Sequence, residues 1–452
     1  MSKFRLVAPF MVLMLVLTAC PAGDTGDGGG DGGDGGDGGA AATGGAGGDG
    51  GDGGDGDGSI SVTSLWGGAE GEAFQAVLDA FEEQTGITAE YETVRDDYAG
   101  VLSTRAAGGT PPDVAIMPGI GFMRSFAQDG LLIPMEDLGV AAADLEDRYA
   151  PGILDIGTVD GTLYAPMVKL NSKSTVWYHP SSFEELGLEV PETYDDMVAL
   201  GEAYDGPAWA CGCADTWNLT DWFESIYIRQ HGVDMYDQLF GGELPFTDQS
   251  VKDSVAEMTR ILNEENLVGG VNGALGTAFV DAIEQTFGAN NDAWLFYEGG
   301  FVGGIAIGQV NPDLEIGTDI DFFDFPTLGD GGAPITIGGD VIAAFTNDSD
   351  VAEFMQFMVS PEAGTVWAEQ GTIISPIIGV DSGAYPNELA SKEAEQVANA
   401  EAVRFDGSDL LPSGAPDLGA TLQTALSDPD GLDQALEDFQ VGVEQAFADA
   451  GG

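Results

Sequence analysis

Apolar residues alternate with polar ones from Ile60, with Val62 and Ser64 continuing the register, in a predicted strand that ends at Leu65-Trp66. Gly67-Gly68 turns the chain, and the period then changes. Phe74, Val77, Leu78 and Phe81 recur at i, i+3, i+4 and i+7, which predicts one helix with a single apolar stripe stopping at Gly86. A second strand is predicted over Thr88 to Thr93. This β-α-β start favours a parallel sheet covered by helices. Asp113 to Met117 is a short, nearly continuous apolar run before Pro118-Gly119, as a strand buried on both faces requires.

The alternation returns at Leu163-Tyr164-Ala165, Thr175 to Tyr178 and Val341 to Phe345. Helices are predicted over Val251 to Leu262 and Val351 to Val359. Ser360-Pro361 opens another, with a capping hydroxyl and a proline at the first helical position, running to Gly371. Nearly 400 residues exceed one comfortable core, so two α/β lobes are expected.

Ahead of this body, Lys3 and Arg5 precede the apolar run Leu6 to Leu17, which has the length and flank of a secretion signal and is too short to span a bilayer. Leu17-Thr18-Ala19-Cys20 resembles a bacterial lipobox, which implies that Cys20 is diacylated and becomes the mature N-terminus. Two acyl chains hold a protein stably where one does not. Residues 23 to 58 are nearly all Gly and Asp, with no apolar side chain larger than Ala, so they read as a flexible tether. Such a coil spans roughly 30–35 Å, and charge repulsion stretches it further. Asp55 to Ser59 begins like a calcium loop, but Ile60 and Trp66 replace the turn glycine and the bidentate acid.

Setting aside the nine tether aspartates and the two leader cations leaves 394 residues with 68 acidic and 11 basic side chains, a formal balance of −57. Such a surface repels nucleic acid and anionic lipid, so neither is expected as a partner and membrane contact is through the N-terminal lipid alone. The scarcity of Lys resembles surfaces that work in concentrated salt, where self-repulsion is screened, and a salt-requiring fold is expected. Cys211 and Cys213 are too close for an unstrained bridge and have no second pair to complete a zinc site, leaving a strained local disulfide or two buried thiols. His179 and His231 are isolated and read as structural. No metal and no cofactor are expected.

Trp66-Gly67-Gly68-Ala69-Glu70-Gly71, Ser174 to Pro180, Thr220 to Glu224, Gly338-Gly339-Asp340 and Arg404 to Leu410 occur in an order and spacing that together resemble a family 1 extracellular solute-binding protein of an ABC importer. The similarity covers roughly residues 60 to 430 and is nearest the maltose and α-glucoside type. It implies a two-lobed periplasmic-binding-protein fold of the class II-like Venus flytrap kind, each lobe a mixed sheet flanked by helices. The expected division is 1–20 signal and lipobox, 21–58 tether, 59–172 with 328–380 as lobe 1, and 173–327 with 381–452 as lobe 2. Relatives often carry one cysteine in the Trp209-to-Gly212 region and another about where Ala293 stands here, so a bridge between those segments cannot form.

The resemblance also implies a sugar in the cleft and an ABC permease as partner, with the chain a monomer, no enzyme, and held at the outer face of the cell membrane. A sugar needs flat rings for its C–H faces and charged or amide groups for its hydroxyls. Trp66 with Glu70, Trp217 with Asp221 and Trp222, and Glu298 with Phe301 supply both kinds side by side. Ligands of open α/β sheets bind beyond strand carboxyl ends, where Trp66, Pro118-Gly119 and Gly339-Asp340 are placed by the pattern. Gly119, Gly299, Gly300 and Gly339 would allow close backbone approach, and Asn171 and Lys173 would reach the ligand from the lobe crossing.

Each residue has a plainer alternative. Trp66 and Phe301 compete with core packing, one of Trp217 and Trp222 is core, Asp221 competes with a helix cap and Glu298 with a solvated loop acid. Trp177, Tyr178 and Trp367 read as core, and Arg404 as a structural ion pair. The alternative functions are a binder of a polyol or other non-sugar solute, an extracellular glycosidase, or a surface adhesin. With so many acids a carboxylate pair arises by chance, so pairing is no argument for a glycosidase.

Overall fold

The computed structural model describes residues 56–450 except 96, 150, 151, 205, 330 and 331. The leader, Cys20 and residues 21–55 of the expected tether lie outside the described residues. Gly56 and Gly58 are bonded to the body, their N–H groups donating to Ser349 Oγ and to an Asp350 carboxylate oxygen.

The first sheet begins with β1 (Ser59–Ser64), followed by α1 (Ala69–Thr85) and β2 (Thr88–Thr93), with β1 and β2 parallel and in full register. Helix α1 ends where the sequence says, at Gly86, whose φ of 79° is left-handed and whose N–H closes the last turn on Glu82 O. β3 (Val114–Met117) lies parallel on the other side of β1. β4 (Met167–Ser172) is followed after two residues by β5 (Thr175–Tyr178), which belongs to a different sheet. That second sheet has the order β8 (Asp321–Asp324), β5, β7 (Leu295–Glu298), β6 (Trp209–Ala210), with only β6 and β7 parallel.

β9 (Ile335–Ala344) organises the first sheet. Its start pairs with β10 (Val403–Phe405), its middle with β4 and its end with β3. The expected strand over Val341 to Phe345 is thus the second half of a ten-residue strand. Gly339 and Asp340 lie within it rather than at a strand end, because a register shift between Asp340 and Val341 lets the chain pass the glycines without turning. Leu163 pairs only in a two-residue hairpin, since the Tyr164 and Ala165 N–H groups both turn back to Gly157 O.

Two lobes result. One core gathers residues from 60–170, 335–390 and Phe405, including Phe74, Phe81, Trp66 and Trp367. The other lobe holds two clusters drawn from 176–325 and the C-terminal helices, including Trp209, Trp222 and Phe439 in one and Trp177 and Phe322 in the other. Trp177, Tyr178 and Trp367 are buried as predicted. Cys211 and Cys213 are bonded to one another.

Gly339 is packed against backbone: a Cβ there would lie 2.1 Å from Lys169 O on β4. Gly339→Ala is therefore expected to cost about 2–3 kcal/mol, as overpacking a filled site does, seen as a lower urea midpoint at fixed high salt with unchanged slope. Gly308→Ala, where an added methyl meets nothing within 4 Å, should stay within about 1 kcal/mol of the parent.

Candidate functional site

A cavity of about 430 Å³ opens between the lobes. Glu70 in the first turn of α1 and Lys169 and Asn171 of β4 line it from the first lobe. Gly300 and Phe301, at the start of the short helix α3 (Phe301–Ile305), line it from the second. Glu393 of α4 (Glu388–Asn399) closes the floor. Lys169 holds the first-lobe wall together, its ammonium 2.6 Å from Glu70 Oε1, 3.7 Å from Asp340 Oδ2 and 5.0 Å above the Trp66 ring. Burial raises the Asp340 carboxyl above the usual range although the Lys169 charge opposes it.

Of the residues singled out by sequence, Glu70, Asn171, Gly300 and Phe301 meet at this cavity. Trp66 does not: it is 2 % exposed, with its ring packed edge-on against Phe74 at 5.2 Å and Trp367 at 5.1 Å, and Lys169 stands in front. Gly119 lies off the cavity, and a Cβ on it would meet the Phe122 ring at 2.5 Å. The space beside Gly299, Gly300 and Gly339 is likewise filled by the protein, by the Phe301 ring with Ser172 O, the Glu393 carboxylate and the Lys169 carbonyl respectively.

Trp217 opens α2 (Trp217–His231), and the helical step of about 100° separates the two tryptophans by about 140°. Trp217 is half-buried beside Phe279 at 4.9 Å and Phe301 at 6.0 Å, whereas Trp222 faces the second core against Tyr297 at 4.5 Å and Trp209 at 5.4 Å. Trp222 is the core member of the pair. Asp221 is four residues after Trp217 and so on its face, inside the helix rather than at its cap.

Asp221 and Glu298 are both fully buried, which overturns the picture of Glu298 as a solvated loop acid. They belong to a cluster around Lys173, whose ammonium is 2.6 Å from Asp406 Oδ2, 3.0 Å from Asp221 Oδ1 and 5.5 Å from the centre of the Trp217 ring. Burial disfavours this ammonium, yet the carboxylates beside it hold its pKa well above the usual lysine value. Burial also works against the Asp406 anion, and Lys173 nevertheless brings it down to about 2. Asp221 Oδ2 and Glu298 Oε1 are buried with no ordinary donor and face each other. Burial pushes Asp221 up to about 7 and Glu298 well above the usual carboxylate range, an arrangement that favours one proton shared between them at neutral pH.

Sequence reasoning missed Lys169 and Glu393. Lys169, Asn171 and Lys173 follow a period of two along β4 and its exit, a signal that was available. Glu393 is an ordinary-looking acid in an amphipathic helix, and nothing local marks it. Arg404 pairs with Asp237 in a bidentate way through Nε and Nη2, and His179 and His231 each bond a backbone carbonyl.

A family model described as bacterial extracellular solute-binding protein matches residues 66–365. The osmoprotective compounds-binding protein GgtB of Synechocystis is 32% identical over 364 residues, covering 78% of this chain and 84% of that one. The alpha-glucosides-binding periplasmic protein AglE of Rhizobium meliloti is also 32% identical, over 78% of this chain and 80% of its own. Among solved structures, the bacterial solute receptor AcbH superposes with a TM-score of 0.74 at 20% identity, covering 87% of this chain and 100% of that one. RafE in complex with raffinose gives 0.68 at 20% identity over 85% and 99%.

The Asp221–Glu298 proton has a measurable consequence. Both folded pKa values lie above their unfolded ones, so the stability this pair contributes is complete below about pH 4 and is lost progressively as pH rises from there to the folded values, about 7 for Asp221 and well above the usual carboxylate range for Glu298. Each proton kept only by the folded state costs about 1.4 kcal/mol per pH unit in that window. Glu298→Gln, which supplies an N–H in place of the shared proton, should flatten the fall between pH 5 and 7 in urea unfolding at constant salt. Equal slopes in the two proteins would show that no proton is shared.

Proposed function

The chain belongs to the bacterial extracellular solute-binding proteins, and from that premise we propose that it captures an α-glucoside or related oligosaccharide in the interlobe cavity and delivers it to an ABC permease. The observation that carries the reading is the makeup of the cavity: one half-buried ring, Phe301, opposed by Glu70, Lys169 and Asn171 across a gap between two lobes with separate cores. A ring and a ring of hydrogen-bonding groups on opposite walls suit a molecule with apolar faces and a hydroxylated rim. At about 430 Å³ the space is near the small end for ligand sites, which suits a compact glycoside.

Binding, not bond cleavage, is the work done. Contacts available only when both walls touch one ligand favour the closed arrangement, and closure is what a permease reads. A glucosyl polyol or other osmoprotectant is the second reading, favoured by the likeness to GgtB. We further propose that the mature chain is a monomer anchored by a diacylated Cys20 at the outer face of the cell membrane, with the Gly/Asp segment as its leash and high salt as its working medium.

A thermal-shift panel of neutral di- and trisaccharides, glucosyl polyols, peptides and divalent metals in multimolar salt tests the ligand class. A carbohydrate at a hundredfold its Kd should stabilise the protein by about 2.7 kcal/mol, reduce its radius of gyration in X-ray scattering, and be recovered uncleaved. Phe301→Ala should weaken that ligand at least tenfold, about 1.4 kcal/mol. A panel in which only peptides or metals shift the melting point would replace the sugar reading.

A further inference from the structure

Glu393 is a buried acid that no ion pair explains. It is 5 % exposed, lines the cavity floor, and has no Lys, Arg or His within ion-pair distance among the described residues. Its Oε1 accepts the Ser172 N–H at 2.8 Å, where β4 ends and the chain leaves the first sheet. The same residue's carbonyl accepts the Gly300 N–H at 2.9 Å from the second lobe. The Glu393 carboxyl is packed so closely over Gly300 that a Cβ there would lie about 2 Å from it. The helix carrying it is bound to both lobes: Ala390 joins the first core and Leu389 the second lobe, Lys392 pairs with Asp321 at 2.8 Å, and Gln396 donates to Ser174 O and Asp324 Oδ1.

We propose that Glu393 is a ligand-reading residue that stays un-ionised and donates its carboxyl O–H to an acceptor-only oxygen, the ring or glycosidic oxygen, of the bound glycoside. This rests on the sugar reading above and adds to it the group that distinguishes an ether oxygen from a hydroxyl. Hydroxyls are served by the acceptors on the opposite wall, and an acid fixed through one oxygen to the crossing backbone has its other oxygen for the solute. The groups facing it do not supply a counter-charge. Lys169, across the cavity on β4, is held by Glu70 of α1 and Asp340 of β9, and Lys392 on its own helix is turned to Asp321. Tyr385 is a neutral phenol whose ionisation the Glu393 charge opposes; of the second-sheet acids, Asp324 and Asp321 are bonded to Gln396 and Lys392 of the same helix, and Glu298 is beyond Gly299 and faces Asp221. Burial raises the Glu393 carboxyl to about 8, and the Ser172 N–H only partly offsets it.

Isothermal titration of the intact protein with the best glycoside of the panel, from pH 6 to 9.5 at constant salt, tests the assignment. The wild type should bind evenly to about pH 7.5 and then weaken toward tenfold per pH unit, taking up most of one proton at pH 8.5 when buffers of different ionisation enthalpy are compared. Glu393→Gln retains a donor without the titration, so its affinity should hold to pH 9.5 with no proton uptake, while Glu393→Leu should be weaker at every pH. The wild-type profile and proton count need no variant to fold. A glycoside that binds with a flat profile and no proton uptake overturns the assignment and leaves the sugar reading standing. No glycoside binding even at pH 6 overturns both.

Discussion

Lys173 is the residue on which the two halves of this molecule depend. It is one of two residues between β4 and β5, so the chain passes from one sheet to the other across it. Its N–H donates to Thr336 O on β9 of the first sheet, and its carbonyl accepts the Tyr297 hydroxyl from β7 of the second. Its ammonium is fixed between Asp406, just after β10, and Asp221 of α2. A buried charge is tolerable only when paired, and removing one partner leaves the other uncompensated. The crossing is therefore specified by backbone and charge together. The extra acid, Glu298, is accommodated by a shared proton rather than by a second cation.

This use of cations matters in a body with a formal balance of −57. Lys169 and Arg229 are buried and Lys173 is largely so, the two lysines among carboxylates at the cleft and crossing, and Arg229 over the Phe325 ring at 4.8 Å. Other cations make exposed or half-exposed pairs, such as Arg105 with Glu92, Lys252 with Asp433 and Arg260 with Asp195. Exposed pairs contribute little and are weakened by salt. Salt also screens the far larger repulsion among unpaired surface carboxylates, while the buried clusters are shielded from it. Concentrated salt thus acts on the surface, where it helps, and leaves the hinge network intact.

Much of the architecture was legible because it follows from local periodicity. β1, β2, β5 and the end of α1 at Gly86 came from alternation, a helical stripe and one left-handed glycine. β9 was only half visible, since Gly339-Asp340 reads as a strand end until the close approach of Lys169 O explains the missing side chain. At the cavity, Glu70, Asn171, Gly300 and Phe301 stand among the positions to which residue type and chain position point. Trp66, Trp222, Asp221 and Glu298 have the right chemistry for a sugar but are turned inward, Trp66 by Phe74 and Trp367 and Trp222 by its angle on α2. Glu393 is defined only by contacts with Ser172 and Gly300, distant in sequence, and no local pattern encodes such a place.

The cavity and the hinge share backbone, and this explains how occupancy can move the lobes. Ser172 presents its N–H to Glu393 and its C=O to Gly300, so one peptide segment touches the floor of the cavity, the second-lobe helix and the crossing at once. A solute resting on that floor alters the environment of groups already bonded to the crossing, without a relay of intermediate side chains. Its differential contacts with the two walls then set how far the population shifts toward closure. A ligand held at the crossing rather than at the mouth would make recognition and closure depend on the same few hydrogen bonds.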